Sequence, residues 1–76
     1  MNQQKIKTIL AELLGVSPDE IPDNASWETY PAWTSLVHLE FMMALETEFQ
    51  LGLKTEDILR LNSLQSIGEY LAAQGK

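Results

Sequence analysis

The sequence has no cysteine, and that absence removes several chemistries at once. There is no disulfide framework, no thiolate metal site and no cysteine nucleophile. A chain without disulfides is expected in a reducing cytoplasm. Basic residues are scarce, five Lys or Arg against eleven Asp or Glu, and the formal net charge is −6. That balance would repel nucleic-acid phosphates. It favours solubility and steered encounter with basic surfaces on other proteins. No apolar run approaches the roughly 18 residues of a membrane helix, so no membrane insertion is expected. The opening stretch, MNQQKIKTILAELLGV, has neither a long apolar centre nor a small-residue cleavage pattern, and reads as an amphipathic segment rather than a signal peptide. The four glycines, at 15, 52, 68 and 75, are isolated, so no phosphate-cradling loop is present. One histidine and scattered carboxylates show no metal-ligand spacing. At 76 residues the chain is read as one domain spanning 1–76, which buries only about 60% of its unfolded surface.

What is present is helical pattern. Ile6, Ile9, Leu10, Leu13 and Leu14 recur at helical spacing with Lys5, Lys7 and Glu12 off the stripe, predicting a helix over 2–14 that Gly15 stops. All three prolines fall within 17–33, a long structured loop. Its Ser17-Pro18-Asp19-Glu20 has the form of a capping box with proline at the first helical position, predicting a single turn that ends before Pro22. A second long helix is predicted from 34 or 35 to about 49, with Leu36, Leu39, Met42, Met43, Leu45 and Phe49 as a wide apolar stripe and Gly52 beyond its end. TEDILRL predicts a short helix capped by Thr55, with Glu56 and Asp57 in its positive first turn. SLQSIGEYLAAQ predicts a last helix capped by Ser63, with Leu64, Ile67 and Leu71 inward. The expected fold is all-α: a small irregular four-helix bundle of three long helices and one short, with a long loop between the first two.

Ser35 stands at the start of the second helix, three residues before His38, the only histidine. The pair could touch on one helix face. A serine nucleophile also needs an orienting group and an oxyanion hole. Neither is announced by the sequence, and an enzyme is not expected. A helix start instead favours a phosphate, which makes Ser35 a suitable place for a phosphodiester.

Three stretches, ILAELLGVSPDEIPDNASW, SLVHLEFMMALETEF and LKTEDILRLNSLQSIGEYL, together resemble the acyl carrier protein family from about Ile6 to Leu71. They are similar to its opening helix with a Leu-Gly-Val turn, its Asn-Ala-Ser-aromatic loop, its Asp-Ser-Leu…Leu-Glu-x-x-Phe helix and its closing helices. The resemblance implies a 4′-phosphopantetheine arm, delivered from coenzyme A by a phosphopantetheinyl transferase to Ser35, with Thr34 and Leu36 as its flanking residues. The arm's thiol would hold acyl or related groups as thioesters for acyl-loading and acyl-processing enzymes. It also implies a docking face for basic partner surfaces at Glu40, Glu46, Glu48, Glu56 and Asp57. A cargo cavity is implied among Leu39, Met42, Leu45, Ile58 and Leu61, although a filled core is the plainer expectation at each position. Met42 and Met43 are adaptable fillers, and the large side chains there suggest a short or polar cargo.

The chain departs from the family pattern at Thr34, where Asp is usual, and at Val37, where an acidic residue is usual. Trp33 and His38 around the serine look like a Trp-Asp-Ser-Leu-x-His variant associated with stand-alone carriers. Thr34 keeps open a second reading, an unmodified interaction or regulatory module of the same fold. His38 is expected to be half-packed against the loop, with contact to the cargo as the sharper alternative. A monomer is expected, with Trp27, Tyr30 and Trp33 as the candidate sticky patch.

Overall fold

The computed structural model describes residues 3–76. Four α-helices follow one another: α1 (Gln3–Leu14), α2 (Ser35–Phe49), α3 (Thr55–Arg60) and α4 (Leu64–Ala73), with a 3-10 turn at Pro18–Glu20. The expected start of the first helix at Asn2 lies outside the described residues. Among those described there is no strand, only one isolated bridge between Ser26 and Ser63. The architecture is the irregular helical bundle that the apolar spacing predicts.

Local chemistry sets the ends of most elements. Gly15 is left-handed at φ 74°, and the N–H of Val16 reaches back to the carbonyl of Ala11 at 3.1 Å. That is the Schellman closure glycine permits. Ser17 and Glu20 form the predicted capping box: the Ser17 hydroxyl accepts from the Asp19 N–H and the Glu20 carboxylate accepts from the Ser17 N–H at 2.8 Å. Ser63 caps α4 by accepting from the Ser66 N–H at 3.0 Å.

One end differs from the sequence expectation. The cap of α3 is Lys54, not Thr55, which is already helical. Asp57 supplies the capping oxygen instead, accepting from the Lys54 N–H at 3.1 Å. The end of α2 at Phe49 is the one the apolar spacing predicts. The helix is capped by Gln50, which takes a left-handed φ of 55°, while Leu51 donates back to the carbonyl of Glu46 at 3.0 Å.

The core gathers round α1, which packs against both α2 and α4. Ile6, Leu10 and Ala11 of α1 meet Phe41, Met42 and Leu45 of α2 and Leu64, Ile67 and Leu71 of α4, all essentially sealed from solvent. The long loop is part of this core and contributes Ile21, Ala25 and Trp33. It is also stitched to the α3–α4 junction: Trp27 donates to the Asn62 carbonyl at 2.8 Å and Leu64 to the Ala25 carbonyl at 3.2 Å. An ion pair between Lys5 of α1 and Glu48 of α2 at 2.8 Å adds an exposed tie, with the ammonium over the Phe49 ring.

Gln50 carries a local cost. A left-handed residue with a Cβ costs roughly 1–2 kcal/mol, partly offset on substitution by the greater freedom of glycine in the unfolded chain. Gln50→Gly is expected to stabilise the protein by about 0.5–1 kcal/mol, read as a higher midpoint in urea with an unchanged m-value. A lower midpoint would show that the Gln50 side chain contributes more than the backbone cost.

Candidate functional site

The site begins where the loop becomes α2. Trp33 is driven into the core by its size and is 1% exposed. The chain then turns outward. Thr34 takes an extended conformation (φ −84°, ψ 174°), and its hydroxyl accepts from the Val37 N–H at 3.3 Å. Ser35 is therefore the first residue of α2, and it is exposed. Its hydroxyl forms no hydrogen bond among the described residues. The N–H groups of Ser35 and Leu36 precede every intrahelical acceptor. The helix end is thus a positive, donor-rich edge with one free hydroxyl on it, and no carboxylate occupies the first turn.

His38 lies inward, three residues along. It is 0% exposed, not half-packed. Both ring nitrogens are engaged: the Trp33 indole N–H donates to Nδ1 at 3.0 Å, and Nε2 lies 2.8 Å from the Ile58 carbonyl of α3. An indole nitrogen can only donate. Nδ1 must therefore be the unprotonated acceptor, and Nε2–H donates to Ile58. The Trp27 ring stacks on the imidazole with centroids 4.2 Å apart. Burial pushes the imidazole below its ordinary 6.5, against the opposing pull of the Ile58 carbonyl. A buried ring with both nitrogens used is no base for Ser35, so the serine–histidine dyad is absent.

The five carboxylates expected on a docking face are not equivalent. Glu40 and Glu56 are exposed and have no hydrogen bond or ion pair among the described residues. Glu46 accepts from the Leu53 N–H at 2.9 Å and so holds the α2–α3 connection. Glu48 is paired with Lys5. Asp57 caps α3 and contacts Arg60 at 3.5 Å.

The apolar positions also divide. Met42, Leu45 and Leu61 are buried and Ile58 is half-buried, whereas Leu39 is 51% exposed. Leu36 and Met43 are more open still, at 67% and 65%. The buried face of α2 is His38, Phe41, Met42, Leu45 and Phe49. Leu36, Leu39 and Met43 form a separate apolar strip that faces outward. Reading these six-odd apolar positions as one wide stripe merged two faces. The spacing 38, 41, 42, 45, 49 was the available signal, and it shows only when histidine is counted among the core residues. Trp33 is likewise no part of a surface patch, while Trp27 and Tyr30 are half-buried. One cavity of about 700 Å³ opens between Gln3, Asn24 and Gly68, and a second of about 350 Å³ lies between Arg60, Leu61 and Tyr70. Leu61 is the only one of the five cargo-cavity residues lining either.

Comparison with known proteins gives a consistent set of relatives. The family model described as "Phosphopantetheine attachment site" matches residues 4–71. An acyl carrier protein of Bdellovibrio bacteriovorus is 39% identical over 72 residues, covering 95% of this chain and 92% of that protein. One from Buchnera aphidicola subsp. Schizaphis graminum is 32% identical over 74 residues, covering 97% and 94% respectively.

The helix start generates its own test. With no acidic residue in the first turn of α2, Thr34→Asp places a carboxylate at the cap and is expected to stabilise the protein by about 0.3–1 kcal/mol at low ionic strength. The gain should shrink as salt is added. A gain insensitive to salt would mean that better capping geometry, not charge, is responsible.

Proposed function

The chain belongs to the phosphopantetheine-attachment family of acyl carrier proteins, and on that premise we propose that Ser35 is the residue that bears the arm. A carrier of this family is not itself the catalyst. It holds acyl groups as thioesters on a covalent 4′-phosphopantetheine and presents them to other enzymes. The observation that supports Ser35 is its position: an exposed hydroxyl without a partner at the first residue of α2, beside two unclaimed backbone N–H groups. Attachment joins the Ser35 Oγ to the β-phosphate of coenzyme A and releases adenosine 3′,5′-bisphosphate. The new phosphodiester then lies at the positive end of α2, which favours its charge. Thr34 and Leu36 flank it, the first by capping the helix and the second as an exposed apolar neighbour. The sulfur that a cysteine-free chain lacks arrives with the arm. Reading residues 1–76 as one carrier domain working in the cytoplasm accords with this.

The partners are a phosphopantetheinyl transferase and acyl-loading and acyl-processing enzymes. Their docking surfaces are basic with an apolar centre. Glu40 and Glu56 supply the unengaged charge for steering, while Leu36, Leu39 and Met43 supply contact area on the face that carries Ser35. Glu46, Glu48 and Asp57 add to the field but already serve the fold. Exposed charges of this kind raise the rate of encounter more than the affinity, which suits a carrier that must dissociate. Met42, Leu45 and Leu61 fill the space beneath α2, so the cargo is short or polar. The unmodified-module reading is not favoured by the family match, which is to a phosphopantetheine attachment site over most of the chain.

The test is intact mass after incubation with coenzyme A and a broad-specificity phosphopantetheinyl transferase. The wild-type chain is expected to gain one phosphopantetheine and Ser35→Ala none. A wild-type chain that gains nothing, beside a second carrier that is modified by the same enzyme, would count against Ser35 as the site. In the same assay Glu40→Lys is expected to lower the rate of modification several-fold at low salt, with the difference fading as ionic strength rises.

A further inference from the structure

We propose that His38 is a positioning residue for Ser35 that works only while its imidazole is neutral, so that the placement of the serine is coupled to proton binding in the core. The inference concerns the same site as the carrier reading and rests on it for its functional meaning. The device itself belongs to the fold and can be read without any modification of Ser35.

The argument starts from hydrogen-bond polarity. Trp33 and Thr34 are the two residues that lead into Ser35, and His38 holds both. Its ring accepts the Trp33 indole N–H at 3.0 Å, and its backbone N–H donates to the Thr34 carbonyl at 2.8 Å. Through Nε2 the same ring is tied to the Ile58 carbonyl at 2.8 Å, so α3 is joined to the start of α2 by one side chain. The Ile58 bond survives protonation, because Nε2–H is a donor in either state. The Trp33 bond does not. An imidazolium carries a proton on Nδ1, which would point at the indole proton and leave two donors facing each other. The pathway of disturbance is therefore one-sided: a proton on His38 releases the loop residue adjoining Thr34 and Ser35 and spares the tie to α3.

Nothing nearby compensates such a proton. The elements that meet the ring bring few titratable groups. The loop brings Glu28 and Tyr30 on either side of the Trp27 and Trp33 contacts, and α3 brings Asp57, Arg60 and the adjoining Lys54. α2 itself brings the exposed Glu40. No hydrogen bond or ion pair joins any of these to the imidazole among the described residues. Asp57 is already committed to the Lys54 N–H and to Arg60. A cation here would also lie in the first turn of α2, the positive end of that helix.

The sign of the effect follows. Burial lowers the folded-state value below the ordinary 6.5. The unfolded chain therefore binds a proton more readily than the folded one as pH falls below about 6.5. The contribution is fully present above that pH and is lost as pH falls toward the folded-state value, at up to about tenfold in the folding equilibrium constant per pH unit. As the sequence contains one histidine, no second imidazole titrates in that window.

The experiment is an NMR titration of the intact, unmodified chain from pH 8 to 5, following the His38 ring, the two indole N–H signals and the amides of Ser35 and Leu36. His38 is expected to titrate below 6.5. At the same midpoint the Trp33 indole should lose protection from solvent exchange by about tenfold or more, and the Ser35 and Leu36 amides should shift, while the Ile58 region stays put. His38→Gln keeps a donor and an acceptor but does not titrate, and its Ser35 and Leu36 amides are expected to show no midpoint in this window. Three results would each overturn the proposal. His38 could stay neutral down to pH 5. It could titrate without moving the Trp33 indole or the Ser35 amide. The Gln variant could keep the wild-type pH dependence. Since no transferase is involved, these outcomes are separate from any failure of Ser35 to accept the arm.

Discussion

The imidazole of His38 is a point at which three parts of the chain are fastened together. The helix that displays the serine, the loop that leads to it and the short helix α3 meet at that ring, through Trp33 at 3.0 Å and Ile58 at 2.8 Å. A polar group sealed from water is tolerable only when its hydrogen bonds are made, and leaving one unmade costs about 1–3 kcal/mol. Here both nitrogens are satisfied, and the Trp27 ring covers the face of the imidazole. Trp33 in turn meets Phe41 edge-on, with centroids 5.5 Å apart, so the polar tie is continuous with the apolar core. The position of Ser35 at the surface depends on what happens directly beneath it.

The consequence is a helix with two unlike faces. One face of α2 is packed against α1. The other carries Leu36, Leu39 and Met43 into solvent, next to the serine. Exposed apolar residues that close together on a small domain mark an interaction surface more often than a packing defect. For a carrier the arrangement has a clear use. With the arm on Ser35, as proposed, the arm, the apolar strip and the unpaired Glu40 would lie on one helix, and a partner that grips the helix would have the thioester beside it.

Charge plays two roles that composition alone does not distinguish. Of the carboxylates on α2 and α3, Glu46 and Asp57 accept backbone N–H groups and fix the chain around α3, while Glu48 reaches Lys5 on α1. Only Glu40 and Glu56 are left to act purely outward. The carboxylates of α2 and α3 are thus partly ordinary architecture and partly free to face outward, and the two roles fall on different residues.

Much of this was legible in the chain itself. The helical spacing of Ile6, Leu10, Leu64, Ile67 and Leu71, the Ser17–Glu20 capping box, the Gly15 stop and the Ser63 cap are local rules, decided by a few neighbouring residues, and they appear as read. The family of the protein and Ser35 as the candidate residue were legible too, because motif order along a short chain carries that information. What the residues could not reveal is which way each one faces. Leu39 and Met42 look alike on a helical wheel with too many apolar positions, and only packing against α1 sends one outward and the other in. His38 reads as half-packed against the loop until Trp33 and Ile58, five and twenty positions away, bring their bonds to it. Gln50 takes the left-handed turn without glycine because the Leu51 bond to Glu46 requires it there. Local hydrogen bonding and periodicity act over a few residues and are written in the sequence. Burial depends on contacts between distant segments, and so the faces of α2 and the neutral state of its one histidine were settled only by the tertiary fold.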